Sequence, residues 1–251
     1  MSPLSSDDLV YLQKSPYRST VMSLSYLAVH TRPDISFAVN TLTRYSDDPQ
    51  HEHIVALKRI LRYLKGTMHY KLIFKHSKQL EKDILITGYS DADWASCSET
   101  RRSVTGYVFM LGSNIISWNS RRQKVVSLST TESEYYAITA AAMETKWLRS
   151  ILTELGYPQW APTILYGDNQ GCLHLSKHPT NHQRTKHIDI KHHFIRDLVL
   201  DNVISLLYIP TEEMVADIMT KGLPTPLHQK FSTKLSSGFH VDQNLIYSLE
   251  D

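Results

Sequence analysis

Ile84-Leu85-Ile86-Thr87-Gly88-Tyr89-Ser90-Asp91 is the stretch whose reading decides the fold. It is a run of β-prone residues that stops on a carboxylate, and Thr163-Ile164-Leu165-Tyr166-Gly167-Asp168 repeats the arrangement. Both runs read as strands with an acid at the end. In open α/β sheets, working groups collect at the carboxyl ends of strands. Glu134 opens the strongest helical segment, and Asp217 lies in a shorter one near the end of the folded region. The four acids are therefore expected to share one pocket.

The rest of the chain is arranged around these runs. Residues 17 to 65 read as three helices, with Ile54, Leu57, Ile60, Leu61 and Leu64 at helical spacing. Pro33 separates the first two, Asp34 caps the second and Gly66 ends the third. From Tyr70 to about Trp118, short runs rich in Ile, Val, Tyr and Phe read as strands. Next come a helix over Thr131 to Leu155, a strand over 163 to 167 and helices over 170 to 177 and 188 to 200. A strand over 203 to 209 and a helix capped by Thr211 complete the pattern. A block of strands followed by helix and strand in alternation indicates an α/β fold with a mixed sheet. The polar run His76 to Asp83 sets the expected boundaries: a helical unit over 1–83, an α/β unit over 84–238 and a tail over 239–251.

Helical geometry separates the two glutamates at the start of the long helix. Glu134 stands four residues before Ile138 and shares the apolar face of Ala141, Ala142, Leu148, Leu152 and Leu155, whereas Glu132 is rotated by about 200°. Asp91 and Asp93 stay unseparated, because residues two apart on a strand point the same way. Asp91 is favoured only by its place directly after the apolar run. Carboxylates gathered in one pocket repel one another unless a cation neutralises them. An oxygen-only set suits Mg²⁺, and two ions about 3.5–4 Å apart suit phosphodiester hydrolysis.

Composition narrows the class. With 41% hydrophobic and 21% charged residues, the chain is neither disordered nor fibrous. Two cysteines, Cys97 and Cys172, are too few for a disulfide framework or a structural zinc site. No apolar run is long enough for a membrane span and no secretory signal is evident, so a soluble intracellular protein is expected. A net charge of +2 names no partner by itself. Local clusters say more: Arg101 and Arg102, then Arg121, Arg122 and Lys124, then Arg184 to Lys191, with Trp94, Tyr107 and Trp118 nearby in sequence. Such clusters fit either a nucleic-acid backbone with stacked bases or a solvated surface over core tryptophans.

Taken together, the motifs resemble the end of the reverse transcriptase and the ribonuclease H domain of copia-type LTR retrotransposon Pol polyproteins. The residues that carry the resemblance are Gly88-Tyr89-Ser90-Asp91-Ala92-Asp93-Trp94-Ala95, Arg101-Arg102-Ser103-Val104-Thr105-Gly106-Tyr107 and Ser129-Thr130-Thr131-Glu132-Ser133-Glu134-Tyr135. Asp168-Asn169-Gln170, Lys186-His187-Ile188-Asp189 and Ala216-Asp217-Ile218-Met219-Thr220-Lys221 follow in the same order. Upstream, Thr31-Arg32-Pro33-Asp34-Ile35 and Leu61-Arg62-Tyr63-Leu64-Lys65-Gly66-Thr67 resemble the segment after the polymerase palm.

The resemblance implies a ribonuclease H-like five-stranded mixed sheet flanked by helices and preceded by a small helical segment. It also implies cleavage of the RNA strand of RNA/DNA hybrids with two Mg²⁺ or Mn²⁺ ions. Asp91, Glu134, Asp168 and Asp217 then match the family's catalytic, metal-holding acids. The polymerase part of the reverse transcriptase is the implied neighbour, and the implied location is a cytoplasmic virus-like particle or the nucleus. We assign Arg101, Arg102, Arg121, Arg122 and Lys124 to the DNA strand. Polymerisation by this stretch alone is not expected. Many cellular ribonucleases H have a histidine before the last acid, where this chain has Tyr208-Ile209-Pro210-Thr211. His187 is the candidate proton shuttle or substrate contact in its place, with His192 and His193 as alternatives. Two rival readings are a catalytically inert hybrid-binding remnant and a transposase or integrase. An acid on the first helix, Glu134, argues against the second.

Overall fold

The computed structural model describes residues 4–14, 16–74, 85–97, 99–172 and 186–235. The expected boundary run at 76–83, the expected tail at 239–251 and the part of the expected 170–177 helix beyond Cys172 lie outside them. Five strands form one mixed sheet in the order β3-β2-β1-β4-β5. They are β1 (Ile86–Asp93), β2 (Val104–Leu111), β3 (Asn114–Arg122), β4 (Thr163–Gly167) and β5 (Ile204–Tyr208). β1 pairs antiparallel with β2 and parallel with β4; β2–β3 is antiparallel and β4–β5 parallel. The helices are α1 (Ser6–Lys14), α2 (Tyr17–His30), α3 (Ser36–Thr43), α4 (His51–Gly66), α5 (Thr130–Glu154), α6 (Lys186–Leu200) and α7 (Thr225–Leu235).

Both faces of the sheet are covered, as the near-continuous apolar run of β2 requires. Phe109 packs with Ile86, Leu165 and Leu206 against Tyr135, Ile138 and Ala142 of α5 and Ile195 and Leu198 of α6. Its neighbours Val108 and Met110 point the other way, into a cluster with Val215, Ile218 and Met219 and with Phe231 and Leu235 of α7. This is the two-residue period of a strand expressed on two cores. Each fully buried side chain of this size contributes about 1.5–3 kcal/mol.

Helices α2, α3 and α4 build a third cluster around Val21, Val39, Ile54 and Leu57. Polar ties join it to the sheet. Trp118 Nε1 donates to Ala28 O at 2.8 Å, Asn40 Nδ2 donates to Ser120 O at 2.7 Å, and His228 Nε2 of α7 lies 3.2 Å from Asp34 O. Trp118 is thus a packing residue, whereas Trp94 is largely exposed.

Several sequence expectations need correction. β1 does not stop at Asp91 but runs on to Asp93, because β2 continues the ladder through Asp91↔Gly106, Ala92↔Thr105 and Asp93↔Val104. No strand forms over 70–74. Asp34 lies in a short 3-10 turn, Pro33–Ile35, and makes no cap. Its carboxylate instead accepts from Arg32 Nη2 at 2.8 Å and from the Tyr63 hydroxyl at 2.7 Å. Leu155 is exposed, since α5 ends at Glu154 and Gly156 turns the chain at φ +87°. The helix expected at Thr211 is two 3-10 turns, Thr211–Glu213 and Val215–Met219. Every residue from Met214 to Thr220 is buried, which leaves no exposed face for an amphipathic helix. Helices α1 and α7 were not anticipated.

Gly106 makes this buried turn fit. A Cβ there would meet Met219 Cβ and Thr220 Cγ2 at 2.6 Å. Gly106→Ala is expected to destabilise the fold by about 1–3 kcal/mol in urea unfolding, as overpacking does. Gly66→Ala, where nothing lies within 4 Å, is the matched control and should change little. Equal stability of the two variants would contradict the packing assigned to the 215–219 turn.

Candidate active site

The register of the sheet brings the acids together. Tyr89 stands opposite Tyr166 in the parallel β1–β4 ladder, so two residues further on Asp91 comes beside Asp168. Across the other edge Asp91 pairs with Gly106, the residue that admits the 215–220 segment. Asp217 arrives on that segment.

Glu134 comes from α5, and the helix start separates it from Glu132. Ser129 Oγ accepts from Glu132 N at 3.1 Å, and Glu132 Oε2 accepts from Leu128 N at 2.6 Å. Glu132 is thus engaged in closing the helix N-terminus. Glu134, one turn before Ile138, turns inward and is 6% exposed. One oxygen each of Asp91, Glu134 and Asp168 lies within 4.8 Å of the others. Asp93 lines the same cavity without joining this trio.

Asp217, expected in the same pocket, stands beside this trio but neither joins its mutually close oxygens nor lines the cavity. Its Oδ2 lies 2.9 Å from Lys221 Nζ, which is also 3.9 Å from Asp91 Oδ2. Its Oδ1 is buried without a hydrogen-bond partner. The Thr220 hydroxyl donates to Asp91 Oδ2, and the Thr211 hydroxyl to Asp168 Oδ2 at 2.8 Å. Asp91, Asp93, Glu134, Asp168 and Lys221 line an open cavity of about 620 Å³ together with Trp94, Thr130, Asn169, Gln170 and Tyr208.

Burial pushes the Asp91 carboxyl above its usual range against the pull of Lys221 and Thr220. Glu134 is raised well above its own, by burial first and then by the charges of Asp91 and Asp168. Asp217 is pushed up to about 7 by burial and by Asp91. These groups are crowded against charge they cannot shed to water. A divalent cation would supply the missing charge, and the orphaned Asp217 Oδ1 would gain a partner. The oxygen-only donor set fits Mg²⁺ or Mn²⁺.

The predicted basic residues divide into two sets. Arg121, Arg122 and Lys124 line a groove of about 870 Å³ between the β2–β3 sheet and α5, where Lys191 and Tyr136 join them. Arg101 and Arg102 stand on the β1–β2 connection, outside that lining. His187 lies in the first turn of α6, and its side chain is outside the described residues. His192 packs on Tyr135 with ring centroids 3.9 Å apart, and His193 is exposed. Sequence reasoning read Thr211 as a helix cap and quoted Thr220 and Lys221 only within a motif, giving none of them a role at the site. The i,i+4 spacing of Lys221 from Asp217 was the available signal.

A five-stranded mixed sheet with flanking helices and acids gathered where β1 and β4 end defines a ribonuclease H-like domain. The chain belongs to the copia-type Pol polyprotein family. It is 42% identical over 219 residues to the retrovirus-related Pol polyprotein from transposon RE1 of Arabidopsis thaliana, covering 87% of this chain and 15% of that protein. It is 44% identical over 224 residues to that from transposon TNT 1-94 of Nicotiana tabacum, covering 89% of this chain and 16% of that protein. The chain thus spans about a sixth of these relatives. No protein-family model matches. Among solved structures it is similar to LC11-RNase H1 in complex with an RNA/DNA hybrid, at 14% identity and a TM-score of 0.42, over 54% of this chain and 93% of that one.

The raised Asp217 carboxyl has a consequence for stability. Because it moves from its ordinary 3.8 to about 7, the folded chain holds this proton where the unfolded chain has lost it. Its contribution to stability is complete below about pH 4 and is lost as pH rises towards 7. In cation-free buffer, Tm should fall less steeply from pH 4 to 7.5 in Asp217→Asn than in the unaltered chain. Parallel profiles would contradict the crowding assigned to this site.

Proposed function

We propose that this chain is a metal-dependent endoribonuclease that cleaves the RNA strand of RNA/DNA hybrids as part of a retrotransposon reverse transcriptase. The observation that carries the reading is the convergence of Asp91, Glu134 and Asp168 on one open cavity, with Asp217 alongside. The motif resemblance and the kinship with Pol polyproteins supply the substrate class.

Asp91, Glu134 and Asp168, with Asp217 at their side, would hold Mg²⁺ or Mn²⁺. The bound ions would supply an activated water and stabilise the leaving oxygen of the phosphodiester. The Thr220 and Thr211 hydroxyls each donate to one oxygen of Asp91 and Asp168 and so help to orient these carboxylates. Asn169 and Gln170 offer amides to a ribose 2′-hydroxyl, the group that distinguishes RNA from DNA. Asn169 Oδ1 already accepts from Cys172 N at 3.0 Å, so its amide nitrogen is the end presented. Arg121, Arg122, Lys124 and Lys191 provide a positive track for the DNA backbone. The polymerase part of the reverse transcriptase is the proposed neighbour of the helical segment.

The test is cleavage of a labelled RNA strand in a hybrid with Mg²⁺ or Mn²⁺. Cutting is expected from the unaltered chain and should fall to background with EDTA or with Asp168→Asn. A folded protein that binds the hybrid and never cuts it would favour the inert remnant instead. Changing Arg121, Arg122 and Lys124 to Gln should weaken binding of all hybrids alike and make the salt dependence shallower by about one unit per lost phosphate contact. The same change at Arg101 and Arg102 should have a smaller effect, and the reverse ranking would move the DNA track to the β1–β2 connection.

A further inference from the structure

We infer that Lys221 is an internal counter-ion shared by Asp217 and Asp91 and must swing out before the site can load fully with divalent cations. The inference rests on the cation reading above and concerns what that reading leaves unexplained. Asp217 is 1% exposed and stands among the acids, yet the mutually close oxygens come only from Asp91, Glu134 and Asp168. Asp217 Oδ2 is instead paired with Lys221 Nζ at 2.9 Å, and its buried Oδ1 has no partner. The same ammonium stands 3.9 Å from Asp91 Oδ2. It therefore sits between two acids from different elements.

The lysine is built to leave. Its backbone N–H donates to Asp217 O at 3.1 Å, so the buried turn can keep its shape while the side chain moves. The side chain is 33% exposed and lines the open cavity, which gives the flexible four-carbon stem a route to water. A monovalent charge neutralises only part of the cluster, so a divalent ion is still attracted but must displace Lys221 to engage Asp217.

The test is Mg²⁺ binding by titration calorimetry on the whole chain without nucleic acid, at fixed ionic strength, together with the Tm rise at saturating Mg²⁺. Lys221→Met should bind Mg²⁺ at least about fivefold more tightly, the effect of removing one nearby positive charge. It should also show a larger Tm rise than the unaltered chain. Lys221→Arg should keep the weaker affinity, and Lys221→Gln gives a second neutral variant if the Met chain does not fold. Neutral variants that bind no more tightly than the unaltered chain, or an Arg variant that behaves like them, would overturn the inference and leave the cation reading standing. Absence of Mg²⁺ binding in every variant, Asp168→Asn included, would overturn both.

Discussion

The constraint on which this structure depends is the crowding of carboxylates at the end of a buried strand. Asp91 is 2% exposed and Asp217 1%, and Asp217 faces the charge of Asp91. Taking such groups from water costs several kcal/mol per ion unless partners compensate. The chain offers Lys221 to two of the acids, the Thr220 hydroxyl to Asp91 and the Thr211 hydroxyl to Asp168. Compensation remains incomplete, as the raised Asp91, Glu134 and Asp217 carboxyls show. A site that stays unbalanced in its own protein is suited to a cation or to a reaction in which charge develops.

The rest of the fold supports that unbalanced site. The turn carrying Asp217 is packed between β2 and α7, with Gly106 allowing the close approach. Beyond it, Trp118 and Asn40 tie β3 to the first helices, and His228 ties α7 to the backbone of Asp34. Asp34 forms a buried ion pair with Arg32, which in turn donates to Thr67 at the end of α4. The helical segment is thus joined to the elements that hold Asp217 in place.

The sequence was most legible where one physical rule acted alone. The strands ending near Asp91 and Asp168 followed from apolar runs, and the inward turn of Glu134 followed from helical rotation. The helix start then gave Glu132 a capping role that rotation alone did not identify. Where tertiary packing governs, local pattern failed. The run Val215 to Met219 is apolar enough for a helix but is buried on all sides and forms a 3-10 turn. Thr211 looked like a cap, yet its hydroxyl goes to an acid 43 residues earlier. That Asp91 and not Asp93 lies close to Glu134 and Asp168 depends on how α5 and β4 pack on β1, which local pattern does not give. The basic residues were recognisable as a class, but their division between groove and loop depends on how β3 faces α5.

In the proposed reading, Asp91, Glu134 and Asp168 form one divalent-cation site. The most direct measurement is a titration of the chain with Mn²⁺ in which free ion is followed by electron paramagnetic resonance, comparing the unaltered protein with Asp91→Asn and with Glu132→Gln. Saturable binding is expected, lost in Asp91→Asn and kept in Glu132→Gln, since only Asp91 belongs to the trio. Mn²⁺ binding that survives Asp91→Asn unchanged would contradict the proposed reading.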